Sequence, residues 1–235
     1  MINYFLYGGR NSRDFDLYIS GEGTYDAPER DVELIDVPGR SGSLVRDNKR
    51  FKNITVKYPA FIATNFDKNF EAFRNFMLSI PGYRRLEDTY HPEEFRKALY
   101  TGPLSASMTA YLNAGSFDIE FNCMPQRFLK SGEKEITFTE NRKIINPTAY
   151  PSKPLIRVYG SGTLAIGNQI VKVKENPFPY IDIDAEVMDA YMGAANANSF
   201  IELEGTDFPE IQPGESEVRL TGVSRIEIKP RWWII

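Results

Sequence analysis

The segment VELIDVPGRSGSLV, from Val32 to Val45, decides the fold, because it joins an apolar strand to a tight turn. Pro38 and Gly39 stand at the two central positions of a predicted type II turn, where proline presets φ and glycine accepts a positive φ. Gly42, three residues after Gly39, gives the chain a second place to bend. The sequence therefore predicts an exposed, tight loop.

The strand before this turn is apolar on both faces. Val32 and Leu34 fall on one face, whereas Ile35 and Val37 shift toward the other. A strand of this kind meets protein on both sides, so we expect a second covering surface. The next strand, Ile54 to Tyr58, alternates apolar with polar residues, and the simplest prediction is that it pairs back with the first as a long hairpin.

One helix is predicted beyond these strands. Asn65 or Asp67 is available as its N-cap, and Pro81 with Gly82 ends it. Four large apolar side chains recur at spacings of four, three and four residues and share one stripe: Phe66, Phe70, Phe73 and Met77. Because such a stripe usually belongs to a core, we expect the helix to dock on a sheet.

The composition is that of a folded, mainly β protein. Of the 235 residues, 42% are hydrophobic, and the 13 Tyr and 16 Phe with 17 Gly and 15 Pro favour strands and turns. We predict that residues 1–135 form an N-terminal β-sandwich-like domain that includes the helix. Residues 136–152 are predicted as a proline-rich linker, and residues 153–235 as a C-terminal sandwich. Gly167 and Asn168 form a two-residue hairpin turn in that sandwich.

Several classes of protein are disfavoured by what the sequence contains. It has no run of eighteen apolar residues and no signal-peptide pattern at its start, so we expect neither a membrane span nor secretion by that route. Its net charge of -4 argues against generic nucleic-acid binding. A local basic stretch is instead predicted to be the solvated face of a hairpin: Arg46, Lys49, Arg50 and Lys52.

The candidate reactive residues favour a protein without catalysis, metal or cofactor. Cys123, the single cysteine, lies on a predicted strand and reads as a small buried hydrophobe, and His91, the single histidine, as a surface residue in a turn. Four acidic residues could in principle gather as a calcium site or a catalytic pair: Asp182, Asp184, Glu186 and Asp189. Alternation with Ile181 and Ile183 instead predicts that Asp182 and Asp184 point outward to water.

Two other functions are weighed against a purely structural one. A sugar-binding module would stack aromatic rings on a ligand, but Trp232 and Trp233 are adjacent, so at most one of them faces a ligand and the other fills a core or interface. A hydrolase on the same sandwich is the weaker alternative, because a single histidine and the lack of a nucleophile-elbow pattern leave no serine activated.

Five motifs, in order and spacing, resemble those of one protein family. They are DVPGRSGSL at Asp36 to Leu44, FNCMPQRFLKSG at Phe121 to Gly132, NPTAYPSKPLIRVYGSG at Asn146 to Gly162, IDIDAEVMDAY at Ile181 to Tyr191 and IEIKPRWW at Ile226 to Trp233. Together they span nearly the whole chain, and the sequence resembles the distal tail proteins of long-tailed phages that infect Gram-positive bacteria.

The resemblance implies a fold and a function. Members of the family carry an N-terminal β-domain with a helix and an extended hairpin, then a jelly roll similar to galectins and carbohydrate-binding modules. Their N-terminal domains join as a hexameric ring at the tail tip. The implied partners are the tail tube protein, the tail-tip hub or tail-associated lysin protein, and receptor-binding or upper baseplate proteins. Genomic DNA would pass through the ring without specific binding, and the protein would belong to the virion after assembly in the host bacterial cytoplasm.

A ring that closes head to tail needs two different complementary patches on each subunit. A hairpin that reaches a neighbour's sheet would supply one of them. The candidate interface residues lie in and around the turn: Val32, Leu34, Ile35, Val37, Pro38, Arg40, Leu44 and Val45. The alternative, that they pack within their own domain, stays open from the sequence alone.

Overall fold

A computed structural model describes residues 2–23, 25–109, 113–205 and 207–235. The chain divides into two compact units, one running to Arg127 and including Ile235, the other running from Phe128 to Ile234. Each unit has its own apolar cluster. Both are built mainly of strands, which confirms the predicted mainly β fold with one helix.

The first unit is a single large sheet, one helix and a separate hairpin. The sheet has the order β2-β1-β7-β8-β10-β6-β3, and β9 pairs with the start of β10. Its elements are β1 (Phe5–Tyr7), β2 (Arg10–Asn11), β3 (Leu17–Ile19), β4 (Arg30–Ile35), β5 (Leu44–Phe51), β6 (Ile54–Ile62), α1 (Phe66–Ser79), β7 (Arg84–Asp88), β8 (Glu94–Leu99), β9 (Ala106–Thr109) and β10 (Ala114–Leu129). The predicted strand Leu104 to Tyr111 is seen as β9, and its end lies outside the described residues.

The partner of β6 differs from the prediction. β6 alternates buried and exposed residues as expected, but it pairs with β10 and β3, with Val56 opposite Phe121 and Leu17 opposite Ile62. β4 pairs with β5 instead. The prediction was wrong because alternation identifies a strand but not its partner. β5 follows β4 across a short turn, so this pairing closes a smaller loop than pairing with β6 would.

The helix begins and ends where the sequence predicts, at Phe66 and Ser79. Phe73 and Met77 are fully buried against the sheet. Asn65 is the N-cap residue, but its left-handed conformation, with φ of +46°, leaves its side chain without a capping hydrogen bond. The backbone N–H of Phe66 donates instead to the carbonyl of Asn113, at 3.1 Å. At this helix start, the N–H group of Phe66 is therefore satisfied by a backbone carbonyl and not by a capping side chain.

The second unit consists of two antiparallel sheets that share one apolar cluster. One sheet has the order β11-β21-β13-β16-β17-β18, and the other has the order β12-β20-β14-β15-β19. Their strands are β11 (Ile136–Phe138), β12 (Arg142–Asn146), β13 (Leu155–Tyr159), β14 (Gly162–Ile166), β15 (Gln169–Val173), β16 (Ile181–Asp184), β17 (Asp189–Met192), β18 (Ala195–Asn196), β19 (Ile201–Glu204), β20 (Gly214–Thr221) and β21 (Arg225–Lys229). A last strand, β22 (Trp233–Ile234), belongs to neither of these sheets. This is the sandwich expected for the C-terminal half.

Residues 136–152, predicted as a linker, contribute strands to this sandwich. β11 and β12 lie within that range, and β12 forms the edge of its sheet beside β20. The side chain of Asn146 is buried there and donates to the carbonyls of Tyr150 and Ile211. The prolines of the segment accompany turns around these strands and do not interrupt the unit. The hairpin turn at Gly167, with φ of +59°, joins β14 to β15 as predicted.

Candidate functional site

The most exposed secondary structure of the first unit is the hairpin made by β4, β5 and the turn between them, here named the arm. β4 and β5 form a two-stranded sheet of their own. At the turn, the backbone N–H of Arg40 donates to the carbonyl of Val37 at 3.1 Å, and Gly39 has φ of +80°. The predicted type II turn is consistent with both observations, since that turn requires a positive φ at its third residue.

Next to the turn, the arm is apolar on both faces, and this part is named the arm tip. Leu34 and Val45 are opposite each other on one face and are 67% and 66% exposed. Ile35 and Leu44 are opposite each other on the other face and are 46% and 42% exposed. The covering surface that the sequence predicts for this strand is therefore not supplied by the rest of the described chain. Exposed apolar groups that lie together mark interaction surfaces.

All eight candidate interface residues lie on this hairpin. Val32 and Val37 are also exposed apolar residues. Pro38 and Arg40 lie exposed in the turn. The structure thus brings the eight residues together on one projecting element of the single chain.

The part of the arm away from the turn is held by ion pairs across its strands. Arg30 lies 2.8 Å from Asp47, and Arg50 lies 2.6 Å from Asp31. The hydrogen bond from Arg50 lowers the pKa of Asp31. Exposed pairs of this kind stabilise little, yet they keep this part of the hairpin polar and hydrated. The basic stretch predicted as a solvated hairpin face is found here, on β5 and the residue after it.

A second surface feature of the first unit lies on the exposed face of β6 and β10 and is named the cleft. It has a volume of about 640 Å³. Pro59, Phe61 and Pro103 supply apolar lining, and several serines supply polar lining. Phe61 is 38% exposed and packs on the ring of Tyr18, with 5.7 Å between ring centres. The cleft is thus a mixed surface of the size that binds a small group of side chains.

The charged edge of the cleft has one cation between two anions. The ammonium of Lys57 lies 2.8 Å from the Asp118 carboxylate and 3.5 Å from that of Glu120. These hydrogen bonds raise the pKa of Lys57, with Asp118 contributing most. One carboxylate is therefore in excess at this edge.

In the second unit, Asp182 and Asp184 differ from the prediction that they point to water. They are only 5% and 6% exposed. Arg157 donates two hydrogen bonds to Asp182, at 2.7 and 2.9 Å, and Arg231 donates two to Asp184, at 2.6 and 2.9 Å. Alternation does place both carboxylates on the outer face of β16, but Arg157 from the paired strand β13 and Arg231 from the segment before β22 cover that face. The exposure prediction was wrong because the covering residues are remote in sequence.

These bidentate pairs neutralise the carboxylates that had suggested a metal site. Burial by itself raises the pKa of Asp184, but the hydrogen bonds and charge of Arg231 outweigh it, so the net pKa is lowered. Asp189 is held by the backbone N–H of Ala190 and the amide of Asn198. Among the described residues, no three potential metal ligands converge. The acidic segment acts as a structural element that ties strands together.

His91 is more enclosed than predicted. Its ring is partly buried, with Nδ1 3.4 Å from the Asp88 carboxylate. Its Nε2 lacks a hydrogen-bond partner among the described groups, and the adjoining cavity of about 10 Å³ has room for about one water molecule. The sequence located the turn correctly but carried no signal that the turn packs on the sheet. Tyr58, which donates to Asp88 at 2.6 Å, anchors the cluster.

The cysteine and the two tryptophans occupy structural positions. Cys123 is fully buried, and burial raises the pKa of its thiol to about 12, so it carries little thiolate at neutral pH. Trp232 belongs to the core of the sandwich, as one of the two tryptophans was predicted to do. Trp233 stacks on Tyr150, with 4.4 Å between ring centres, and donates to the carbonyl of Pro151. The second tryptophan ring therefore also has a partner within the chain.

Aromatic rings on the outer face of the sandwich are likewise engaged. The guanidinium of Arg225 lies 4.0 Å from the ring centre of Tyr159, and the tyrosine hydroxyl bonds Glu227. Arg157 lies 4.1 Å from the ring centre of Tyr180. A sugar that stacked on these faces would have to displace both cations.

Comparison with known proteins shows which solved structures have a similar fold. No model of a protein family matches the sequence, and no curated protein matches it either. Among solved structures, the Dit protein of phage SPP1, described as a paradigm of the hub adsorption apparatus in phages that infect Gram-positive bacteria, matches with a TM-score of 0.73. That match has 12% sequence identity and covers 100% of both chains.

Two further matches come from the baseplate of phage p2 in its activated conformation, solved with Sr and with Ca. Both have a TM-score of 0.53, with 10% and 11% sequence identity, and cover 97% of this chain and 98% of the other. At these identities the likeness concerns the fold, and the fold that the resemblance implied is confirmed. Among the described residues, no helix is long and apolar enough to cross a membrane.

Proposed function

We propose that this chain is a structural protein of a phage tail tip, a distal tail protein whose copies join as a ring. One observation carries the proposal: the fold of the SPP1 Dit protein extends over the whole of both chains, with a TM-score of 0.73. Five sequence motifs resemble the same family. A match that includes both units favours the full role of that protein over the role of a single shared module.

The arm supplies the element that a ring requires. A closed ring of identical subunits is built from head-to-tail contacts, in which each copy offers two different surfaces. The arm tip, with Leu34 and Val45 exposed on one face and Ile35 and Leu44 on the other, fits between two covering surfaces. We therefore assign the eight candidate residues of the arm, which lie between Val32 and Val45, to the contact between copies. Six copies is the number that the family resemblance implies.

The partners and location follow from the same role. The ring would join the tail tube protein to the tail-tip hub or tail-associated lysin protein, and would carry receptor-binding or upper baseplate proteins. Residues 1–135 would make the ring, and residues 153–235 would form a separate jelly-roll domain. The net charge of -4 suits an opening through which genomic DNA slides, because a basic lining would bind phosphate at each step. The protein would be assembled in the host cytoplasm and end in the virion.

The role assigned here needs no chemistry. The candidate nucleophile Cys123 is buried with a raised pKa, and the buried carboxylates Asp182 and Asp184 are each paired with an arginine. An activated nucleophile requires an adjacent base within hydrogen-bond reach. These groups therefore support a protein that acts by its shape.

Size-exclusion chromatography coupled to light scattering tests the proposal. The chain has a mass of 26.9 kDa, so a ring of six copies elutes at about six times that mass. The assembled fraction should grow with protein concentration. A protein that stays at the mass of a single chain at high concentration, and binds sugars on a glycan array, would contradict the ring and favour a carbohydrate-binding module.

A further inference from the structure

We propose that the cleft on the first unit receives the arm tip of a neighbouring copy. The proposal rests on the ring function above and names the surface that accepts the arm. This surface lies on β6 and β10, where the sequence pattern alone does not indicate an interface. The partner is a second copy of this chain.

Neither surface is filled by the described part of the chain, and one is a projection whereas the other is a depression. The arm tip projects apolar side chains on both faces, whereas the cleft is a depression of about 640 Å³ with Pro59, Phe61 and Pro103 in its lining. A projection and a depression on the same subunit form the heterologous pair from which rings are made. A tip inserted into the cleft would remove its apolar side chains and the exposed part of Phe61 from water together.

The charges of the two surfaces are complementary in sign. The arm from Arg30 to Phe51 has five basic and four acidic residues, which gives a net charge of +1. The edge of the cleft has Lys57 with Asp118 and Glu120, which gives -1. The excess carboxylate is that of Glu120, because it lies farther from Lys57 than Asp118 does.

The cation that fits this carboxylate is Arg40. It lies exposed in the turn, directly beside the apolar part of the arm. Its backbone N–H is used within the turn, so the turn fixes the position of the residue, and its side chain is exposed. An arginine at a rim favours correct orientation and faster association more than raw affinity. The proposal therefore pairs Arg40 of one copy with Glu120 of the next.

Charge reversal tests this pairing in the full chain. Arg40→Glu and Glu120→Lys, each alone, place like charges together, and each should raise the concentration at which half of the protein is assembled by about fivefold per interface. The double variant, Arg40→Glu with Glu120→Lys, restores opposite charges and should recover assembly close to that of the unchanged protein. Sedimentation velocity over a concentration series measures the assembled fraction.

A matched control changes the same kind of charge elsewhere. Glu71 is exposed on the helix of the same unit, and Glu71→Lys alters the net charge by the same amount as Glu120→Lys. It should leave assembly unchanged. If Glu71→Lys weakens assembly as much as Glu120→Lys does, or if the double variant fails to recover, the pairing is overturned.

A second variant tests the apolar part of the cleft. Phe61→Ser removes the exposed ring, and assembly should weaken at least as much as with the charge variants, while circular dichroism shows the fold retained. Photo-crosslinking from p-benzoylphenylalanine placed at Val45, with isotope-labelled and unlabelled copies mixed, gives a readout independent of stability. Crosslinks should join the arm of one copy to peptides of β6 or β10 in the other.

The outcomes separate this inference from the function on which it rests. Rings that are lost when the arm tip is altered, but persist in Phe61→Ser and Glu120→Lys, would overturn the cleft as the surface that accepts the arm. The ring function would still stand. Crosslinks to other peptides would do the same. An unchanged protein that never assembles would overturn both the ring and the cleft.

Discussion

At the scale of single residues, two buried ion pairs connect separate parts of the second unit. Asp184 and Arg231 lie 47 positions apart, and their two hydrogen bonds tie β16 to the segment before β22. The sequence predicts the face on which Asp184 lies, because alternation along a strand is local. It does not predict burial, because the residue that covers Asp184 comes from a distant part of the chain.

Removing the arginine should destabilise the second unit. Arg231→Met leaves a buried carboxylate without its partner, and we expect the free energy of unfolding to fall by about 2 to 4 kcal/mol. Urea denaturation followed by tryptophan fluorescence measures the change. The double variant Arg231→Met with Asp184→Asn should recover part of it. A loss in the single variant below about 0.5 kcal/mol would show that the pair is not effectively buried.

The same pair predicts a dependence on pH. The pKa of Asp184 is lowered in the folded protein, so its charged form adds stability above the ordinary carboxyl pKa of 3.8. That contribution is lost as pH falls from about 3.8 through the lower folded value. Between pH 5 and pH 2, Asp184→Asn should therefore show a shallower loss of thermal stability than the unchanged protein. Parallel curves for the two proteins would contradict this.

At the scale of elements, the helix was predicted well because its signal is periodic and local, but its start depends on a distant contact. Gly115 on β10 lies so close to the helix that a Cβ there would be 2.3 Å from the Phe66 ring. The sequence shows a glycine in a strand, but it does not show which ring approaches it. Likewise, the pattern of β6 predicted a strand without identifying β10 as its partner.

The close approach at Gly115 gives a direct test of the packing. Gly115→Ala forces the Phe66 ring to move, and we expect a loss of about 1 to 3 kcal/mol in the free energy of unfolding. Ser116→Ala, on the exposed side of the same strand, is the matched control and should change stability little. Equal stability of the Gly115→Ala variant and the unchanged protein would mean that the ring has room to shift.

The arm is the element on which assembly is expected to depend. Leu44→Asp combined with Val45→Asp places a charge on each apolar face of the arm tip, so assembly should be lost while the thermal unfolding of the single chain is kept. Ile145→Asp, at an exposed apolar position on the edge strand β12, is the control and should still assemble. Assembly of the double Asp variant at the unchanged concentration would remove the arm from the interface.

At the scale of the whole molecule, composition and strand patterns indicate a mainly β fold with two parts. They do not fix the residues at which one part ends and the next begins. The strands β11 and β12 lie in the range predicted as a linker, because proline and polar residues are common both in linkers and in the turns of a sandwich. Assembly is a further step, since a single chain shows exposed surfaces but not the copies that cover them. The assignment of the eight arm residues to an interface stays a prediction, and it rests on a strand that is apolar on both faces and on the turn that follows it.

Electron microscopy of the assembled fraction tests the central claim most directly. Two-dimensional class averages of the unchanged protein in negative stain should show closed rings of six copies around an open centre. Particles that remain single at every concentration, or that form closed dimers without an opening, would contradict it.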